Sequence, residues 1–173
     1  MTDGFNLREA ETEPDDEAAA ALMTEYLAWG HQRLSDEYGV TEPPGDLAQI
    51  RKGLGQYRSP TGFLLLAECD GQPVGVGALR MLTPGVAEVK RMYVAPPWRG
   101  RHLGSALLDR LVQEAEQRQA HTVRLDTARF LTDAQRLYRS RGFHERPPYE
   151  GTEIPPHLQQ HWIFFERHDN EQR

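Results

Sequence analysis

The sequence has little that would cross-link a chain or anchor it in a membrane. A single cysteine, Cys69, stands among 173 residues, which excludes an intramolecular disulfide framework and a cysteine-rich zinc module and suits a reducing compartment. Apolar runs such as Phe63–Ala67 are far too short to span a bilayer. Neither a basic segment nor a long apolar segment follows Met1, so we expect no secretory signal and a cytoplasmic protein.

Two common ligand-binding motifs are incomplete. Gly75-Val76-Gly77 begins like a dinucleotide fingerprint, but Arg80 stands where the third glycine is needed and no helix is predicted to follow. His157 and His161 have helical spacing, yet the zinc-protease pattern needs a glutamate directly after the first histidine. No Walker loop is present. We therefore expect no metal and no Rossmann-type site.

The charge balance is acidic. Asp plus Glu total 26 against 20 Lys plus Arg, giving a formal net charge of -6. Such a surface argues against broad binding of nucleic acid or anionic membranes. Positive charge is nevertheless concentrated mid-chain, where a local anion could bind, at Lys90, Arg91, Arg99, Arg101 and His102. The length favours a single domain over residues 1–173.

The first half of the chain predicts two helices and then strands. Apolar residues at helical spacing indicate a helix over Ala18–Trp29, ended by Gly30, and Asp46 can cap a second, short helix. From Phe63 to Val94 the pattern is typical of three adjacent antiparallel strands. Their expected turns are at Asp70-Gly71 and at Pro84-Gly85.

The second half alternates helices and strands. Arg99–Gln119 carries the strongest amphipathic helical pattern, with Leu103, Leu107, Leu111 and Ala115 on one stripe. A strand over Thr122–Thr127, a helix over Thr132–Arg141 and a last strand at Trp162–Glu166 follow.

The segment between the third strand and the strongest helix is the most informative. A strand end, a loop with glycines and arginines, and a helix start follow one another over Val94–Ser105. Free backbone N–H groups and the helix dipole favour an anion there, and Arg99 and Arg101 add charged donors. A pyrophosphate fits this description. A helix start with solvated basic residues is the alternative.

This segment resembles the acyl-CoA loop of the GCN5-related N-acetyltransferase (GNAT) superfamily, whose pattern is (Gln/Arg)-x-x-Gly-x-(Gly/Ala). The matching residues here are Arg99-Gly100-Arg101-His102-Leu103-Gly104. Glu88–Pro96 is similar to the family's central strand, and Leu137–Phe143 resembles its late Leu-Tyr-x-x-x-Gly-Phe signature. Three motifs in the right order make the resemblance specific over Val86–Phe143.

The resemblance implies an α/β (α+β) fold with a mixed, largely antiparallel sheet of six to seven strands and helices on both faces. A central parallel pair, Val86–Val94 and Val123–Thr127, would splay apart to admit the pantetheine arm of acetyl-CoA, the acyl-donor cosubstrate. Backbone groups of Met92 and Val94 would bond that arm. The N–H of Met92 or Tyr93 would stabilise the oxyanion. The pyrophosphate would be held by Arg99, Gly100, Arg101, His102, Leu103, Gly104 and Ser105.

The same resemblance implies direct transfer of an acetyl group to a primary amine. Tyr138 matches the family's usual general acid, which protonates the departing sulfur; a tyrosine packed on the sheet is the alternative. Glu88 is the candidate base, since alternation places it on the same face as Lys90, Met92 and Val94. A purely structural pairing of Glu88 with Lys90 or an arginine remains open.

Two departures from the family pattern leave other functions open. His102 replaces the first loop glycine, and Leu131 stands where many members carry asparagine. A non-catalytic acyl-CoA-binding domain and an interaction domain without cofactor are the rival interpretations. The acceptor, a small molecule, an amino acid derivative or a protein amino group, would contact Trp29–Tyr57 and Arg146–Trp162. Acidic residues there, such as Glu37 and Glu153, mildly favour a basic amine, and the chain is expected to be a monomer or homodimer.

Overall fold

Alternating strands and short turns in the sequence build one mixed sheet. The computed structural model describes residues 4–42 and 46–169. Within these ranges the sheet has seven strands in the order β1-β2-β3-β4-β5-β7-β6. Their bounds are β1 Phe5–Glu9, β2 Gly62–Cys69, β3 Gln72–Thr83, β4 Val86–Val94, β5 Thr122–Ala128, β6 His144–Arg146 and β7 Trp162–His168. Neighbours run antiparallel except β4 and β5, which are parallel, and this confirms the predicted fold class.

Helices cover both faces of the sheet, as predicted. The described helices are α1 Glu13–Tyr38, α2 Leu47–Gly53, α3 Leu103–Gln117 and α4 Thr132–Ser140. Leucines of α3 pack with the side chains of Phe63, Val89 and Phe165 in one core. Residues of α1 pack with Leu64, Leu66 and Val76 in a second core on the opposite face. The sheet is thus the middle layer of three.

The first helix is longer than the sequence predicts. A reciprocal cap starts it: Thr12 Oγ1 accepts from the Asp15 N–H, and the Asp15 carboxylate accepts from the Thr12 N–H. The predicted end at Gly30 is wrong, because α1 continues to Tyr38 and ends at Gly39, whose φ is 68°. A glycine inside a helix costs only about 1 kcal/mol. Burial of Leu34 in the extra turns offsets that cost.

The hairpin that joins β2 and β3 follows its turn residues. Asp70 and Gly71 have φ values of 50° and 75°, as a two-residue hairpin turn with both central residues left-handed requires. The predicted antiparallel arrangement of β2, β3 and β4 is confirmed. The short helix α2 is capped as predicted, with Asp46 Oδ1 accepting from the Gln49 N–H at 2.8 Å.

Candidate active site

The parallel strands β4 and β5 separate after a short paired stretch. Pairing covers only Val86–Glu88 and Thr122–Arg124. Beyond it a cavity of about 540 Å³ opens between the strands, with Lys90, Met92 and Val94 on one side and Asp126 and Thr127 on the other. We call it the splay cavity. Among the described residues, no strand pairs with the β5-facing edge of β4 there, which suits an extended ligand that adds as a strand.

A β-bulge re-aims β4 at the point where the strands separate. Arg91 has a φ of 56°. The single residue Gly77 of β3 lies opposite the two residues that separate Lys90 from Tyr93 in β4. A Cβ on Gly77 would lie 2.8 Å from Leu111 Cδ1. Glycine is therefore the residue that lets α3 pack close to the bulge.

The bulge makes one sequence prediction wrong. Met92 and Val94 pack with Val89 on the core under α3, whereas Tyr93 belongs to the core under α1. Side chains alternate along β4 before the bulge, so Glu88 and Lys90 lie on the face opposite Val89. Glu88 therefore lies on the opposite face from Met92 and Val94. The alternation rule fails here because the extra residue shifts the period of the strand by one.

The loop before α3 keeps backbone donors available for an anion. The predicted helix start at Arg99 is wrong: Arg99 is extended, Gly100 and His102 have φ values of 78° and 63°, and α3 begins at Leu103. His102, the residue that replaces a glycine, thus retains a glycine-like conformation. Its side chain makes no capping hydrogen bond, so the first N–H groups of α3 are left for another acceptor.

A second cavity, of about 510 Å³, joins this loop to the splay cavity; we call it the loop cavity. Nine of the ten predicted cofactor-binding residues line it, namely Met92, Tyr93, Val94, Arg99, Gly100, His102, Leu103, Gly104 and Ser105. Arg101 is the exception, and its guanidinium lies 4.9 Å from the centroid of the Trp98 ring. The structure therefore brings together all but one of the predicted cofactor-binding residues.

Arg99 lies where the two cavities meet. Its Nε donates to the Val94 carbonyl oxygen at 2.9 Å. Its guanidinium lies 5.3 Å from the ring centroid of Trp29 and 5.5 Å from that of Tyr93. The sequence predicts contact with a pyrophosphate, whereas in this structure the side chain spans from β4 to α1.

Tyr138 of α4 also lines both cavities. The residue is buried, and its ring lies edge-on or tilted against Phe143 and Phe165. Burial raises the pKa of the Tyr138 phenol well above its usual range, and the nearby Tyr26 and Asp126 raise it further. The phenol therefore holds its proton at neutral pH and can donate it.

Glu88 lines neither the splay cavity nor the loop cavity. Its side chain is fully buried, Arg80 Nε donates to Oε1 at 2.7 Å, and the Tyr149 hydroxyl donates to Oε2 at 2.6 Å. Burial, followed by the charges of Asp126 and Glu88, raises the pKa of Tyr149, which keeps that phenol a donor. The arrangement matches the structural alternative, with Arg80 as the partner.

Two polar residues of β5 that line the splay cavity, Asp126 and Thr127, were not predicted from the sequence. The Asp126 carboxylate pairs with Lys90 Nζ at 3.1 Å. Thr127 is buried, and its Oγ1 has no hydrogen-bond partner among the described residues. Polar and apolar residues alternate over Thr122–Thr127, but the sequence does not indicate where β5 separates from β4.

Histidines lie near carboxylates elsewhere without forming the motif considered in the sequence. His157 pairs with Glu42, whereas the His161 ring stacks on Tyr38 at 4.3 Å between ring centroids. At the β6–β7 edge, His144, Glu166 and His168 place ligand atoms within 4.8 Å of one another. Glu166 Oε2 already accepts from Arg124 and Arg146, so two guanidiniums neutralise the carboxylate on which a cation would depend.

In the described part of the chain, no helix has the length and apolar character that crossing a membrane requires.

Comparison with known proteins agrees with this geometry. The chain is 35% identical over 109 residues to an uncharacterised N-acetyltransferase of Schizosaccharomyces pombe, covering 62% of this chain and 67% of that protein. It is 38% identical over 86 residues to an IAA acetyltransferase of Azospirillum brasilense, covering 49% of this chain and 56% of that protein. The chain thus spans little more than half the length of the second relative.

A solved structure shares the fold. The PaiA N-acetyltransferase of Thermoplasma acidophilum, in complex with coenzyme A, superposes with a TM-score of 0.70 at 15% identity, over 96% of this chain and 99% of that one. A sequence model described as the acetyltransferase (GNAT) family matches residues 31–143, more than half of the chain. This chain belongs to the GNAT family of acetyltransferases.

Proposed function

We propose that the protein is a single-domain N-acetyltransferase that moves an acetyl group from acetyl-CoA directly to a primary amine. The observation that carries the proposal is the position of Tyr138, whose proton-holding phenol lies where the loop cavity and the splay cavity meet. An acyl donor that extends through both cavities would place its sulfur at this junction. The sulfur would leave there as a thiolate, so a general acid is needed at that point.

The residues present fit an acyl-CoA. The uncapped N-terminus of α3 offers backbone donors to a pyrophosphate. The unpaired edge of β4 beyond Glu88 offers backbone groups to the amides of a pantetheine arm. Thr127 Oγ1, buried and without a partner among the described residues, is a polar atom that a ligand in the splay cavity would satisfy.

The chain's own groups account for the proton movements of direct transfer. The amine nitrogen forms a bond to the thioester carbon, and the carbon–sulfur bond breaks. Tyr138 gives its proton to the sulfur, and the proton that the nitrogen releases as the amide forms restores the phenol. An N–H of the bulged segment at Met92 or Tyr93 stabilises the oxyanion. The ammonium proton must leave before attack. Glu88 remains the sequence-based prediction for this base. Asp126 and Asp133 are the carboxylates that line the splay cavity, and of the two only the Asp126 side chain is buried.

Tyr138→Phe separates an enzyme from a non-catalytic acyl-CoA-binding domain. We expect thiol release in the presence of an amine to fall at least a hundredfold, while calorimetric affinity for acetyl-CoA stays unchanged. Tyr57→Phe is the matched control, since Tyr57 is equally buried, its hydroxyl has no partner among the described residues, and it lines none of the cavities described. Equal turnover in wild type and both variants would contradict the assigned acid.

A further inference from the structure

A third cavity, of about 200 Å³, opens from the splay cavity on the side away from the α3 loop; we call it the side cavity. It lies between the second half of α1 and the segment that joins β6 to β7. Apolar side chains form most of its wall, among them Leu34, Val40, Ile154, Leu158 and Trp162. No residue of the Arg99–Ser105 loop lines it.

The side cavity leads to the reacting end of the site. It shares with the splay cavity the residues Tyr26, Trp29, Arg91, Asp126, Phe130 and Leu131. A molecule lodged among the apolar side chains would therefore reach Asp126 with one end. This is the direction from which an acceptor can approach without crossing the path of the donor.

Contacts between separate segments hold the walls in place. The Trp29 and Phe130 rings meet edge to face with centroids 5.9 Å apart, and Tyr38 stacks on His161. His31 Nδ1 lies 2.8 Å from the Glu42 carbonyl oxygen, and the Glu42 carboxylate pairs with His157. These contacts fix the walls of the cavity, and its volume of about 200 Å³ suits a compact guest rather than a long one.

The charges that face the inner end of the cavity are already neutralised. Arg91 lies 3.3 Å from Glu153, and Lys90 lies 3.1 Å from Asp126 and 3.5 Å from Glu153. With Arg80 and Glu88, the network holds three cations and three carboxylates. A guest bearing a second full charge would find no unpaired counter-ion there and would lose its hydration.

The acidic residues expected to favour a basic acceptor are either paired with cations or lie outside the cavities. Glu37 pairs with Arg33, and Glu153 is enclosed by three cations. Glu150 is exposed and lines none of the cavities described. None of these three acidic residues therefore supports a basic acceptor, and Glu42, the glutamate that lines the side cavity, is already paired with His157.

We propose that the acceptor is a small primary amine on a compact apolar or aromatic body with no second charge. The body occupies the side cavity and the amine reaches Asp126. This inference rests on the proposed function, because it names the substrate class of that same site.

The test compares two amines on the wild-type protein with saturating acetyl-CoA, measuring thiol release. For 2-phenylethylamine we expect kcat/KM at least tenfold above that for spermidine. Spermidine equal to or better than 2-phenylethylamine overturns the inference and leaves the proposed function intact. Thiol release with neither amine nor with any of a panel of amino acids and lysine peptides, from protein that binds acetyl-CoA, overturns the proposed function itself.

A binding readout separates the two proposals further. Trp29 and Trp162 line the side cavity, so 2-phenylethylamine should change the tryptophan fluorescence saturably, even without acetyl-CoA. Leu158→Ala should weaken that binding and raise KM about tenfold, the effect of losing apolar contact in such a pocket. Leu47→Ala, at an exposed leucine outside the cavities, is the control and should change neither. Equal effects of the two variants would contradict the assignment of the side cavity.

Discussion

Lys90 Nζ lies 3.1 Å from Asp126 Oδ2, and this ion pair joins β4 to β5 two residues beyond their last paired residues, Glu88 and Arg124. Both side chains are buried. Burial by itself lowers the pKa of the Lys90 ammonium, but the charges of Asp126, Glu88 and Glu153 outweigh it and raise the pKa above its usual value. Lys90 therefore stays protonated at neutral pH, and its pair with Asp126 holds the separated strands together.

Asp126→Asn should lower the free energy of unfolding by about 3 kcal/mol, because it leaves the buried Lys90 without its closest carboxylate. Urea denaturation at pH 7 measures this. Asp109→Asn is the control, since its pair with Arg141 is largely exposed, and it should lower the free energy of unfolding far less. Equal losses in the two variants would contradict a bracing role for the Lys90–Asp126 pair.

Glu153→Gln should destabilise the protein in a pH-dependent way. Burial alone raises the pKa of the Glu153 carboxyl, yet Lys90, Arg91 and Arg80 together lower it below its usual value. A lowered folded pKa contributes stability above the unfolded value of about 4.3, and that contribution is lost as the pH falls through the folded value. Wild type should therefore exceed the variant at pH 7, and the difference should shrink below about pH 4. A difference that grows on acidification would refute this.

Thr127→Val tests the orphaned hydroxyl of the splay cavity. The substitution preserves the shape of the side chain and removes a buried polar atom without a partner among the described residues, so thermal stability should stay unchanged or rise slightly. Affinity for acetyl-CoA should fall about fivefold, the effect of one lost hydrogen bond of about 1 kcal/mol. Thr122→Val is a useful contrast, because Thr122 Oγ1 already contacts His121 and His168. Unchanged affinity in Thr127→Val would exclude a ligand contact.

Glu88→Gln distinguishes a structural carboxylate from a base. Its complete burial against Arg80 and Tyr149 leads us to expect a loss of about 3 kcal/mol in unfolding free energy. The acidic limb of the kcat/KM profile should be retained in the folded variant. Disappearance of that limb, with a hundredfold fall in kcat, would establish Glu88 as the base.

Much of the fold could be predicted from local sequence, and much of the site could not. The Asp70-Gly71 turn and the Asp46 cap are set by residues adjacent in the chain, and both predictions are confirmed. The bulge at Arg91 depends instead on Gly77 of the neighbouring strand and on the close approach of Leu111. An error of one residue in β4 was enough to place Glu88 on the wrong face.

Long-range contacts also explain the other misses. The local pattern predicts that α1 ends at Gly30, but burial of Leu34 stabilises the helix beyond that residue. The stripe of leucines in α3 extends the apparent helix back to Arg99, although Gly100 and His102 are left-handed. The side cavity combines α1 with residues more than a hundred positions later, such as Leu158, and no local pattern specifies that meeting.

Calorimetric titration of the folded protein with acetyl-CoA tests the central claim most directly, with NAD as a control anion. We predict micromolar binding of acetyl-CoA, no binding of comparable strength for NAD, and weaker binding of acetyl-CoA in Arg99→Ala. An absence of heat with acetyl-CoA at high concentration, from protein shown to be folded, would contradict it and leave a GNAT fold that serves some purpose other than acetyl transfer.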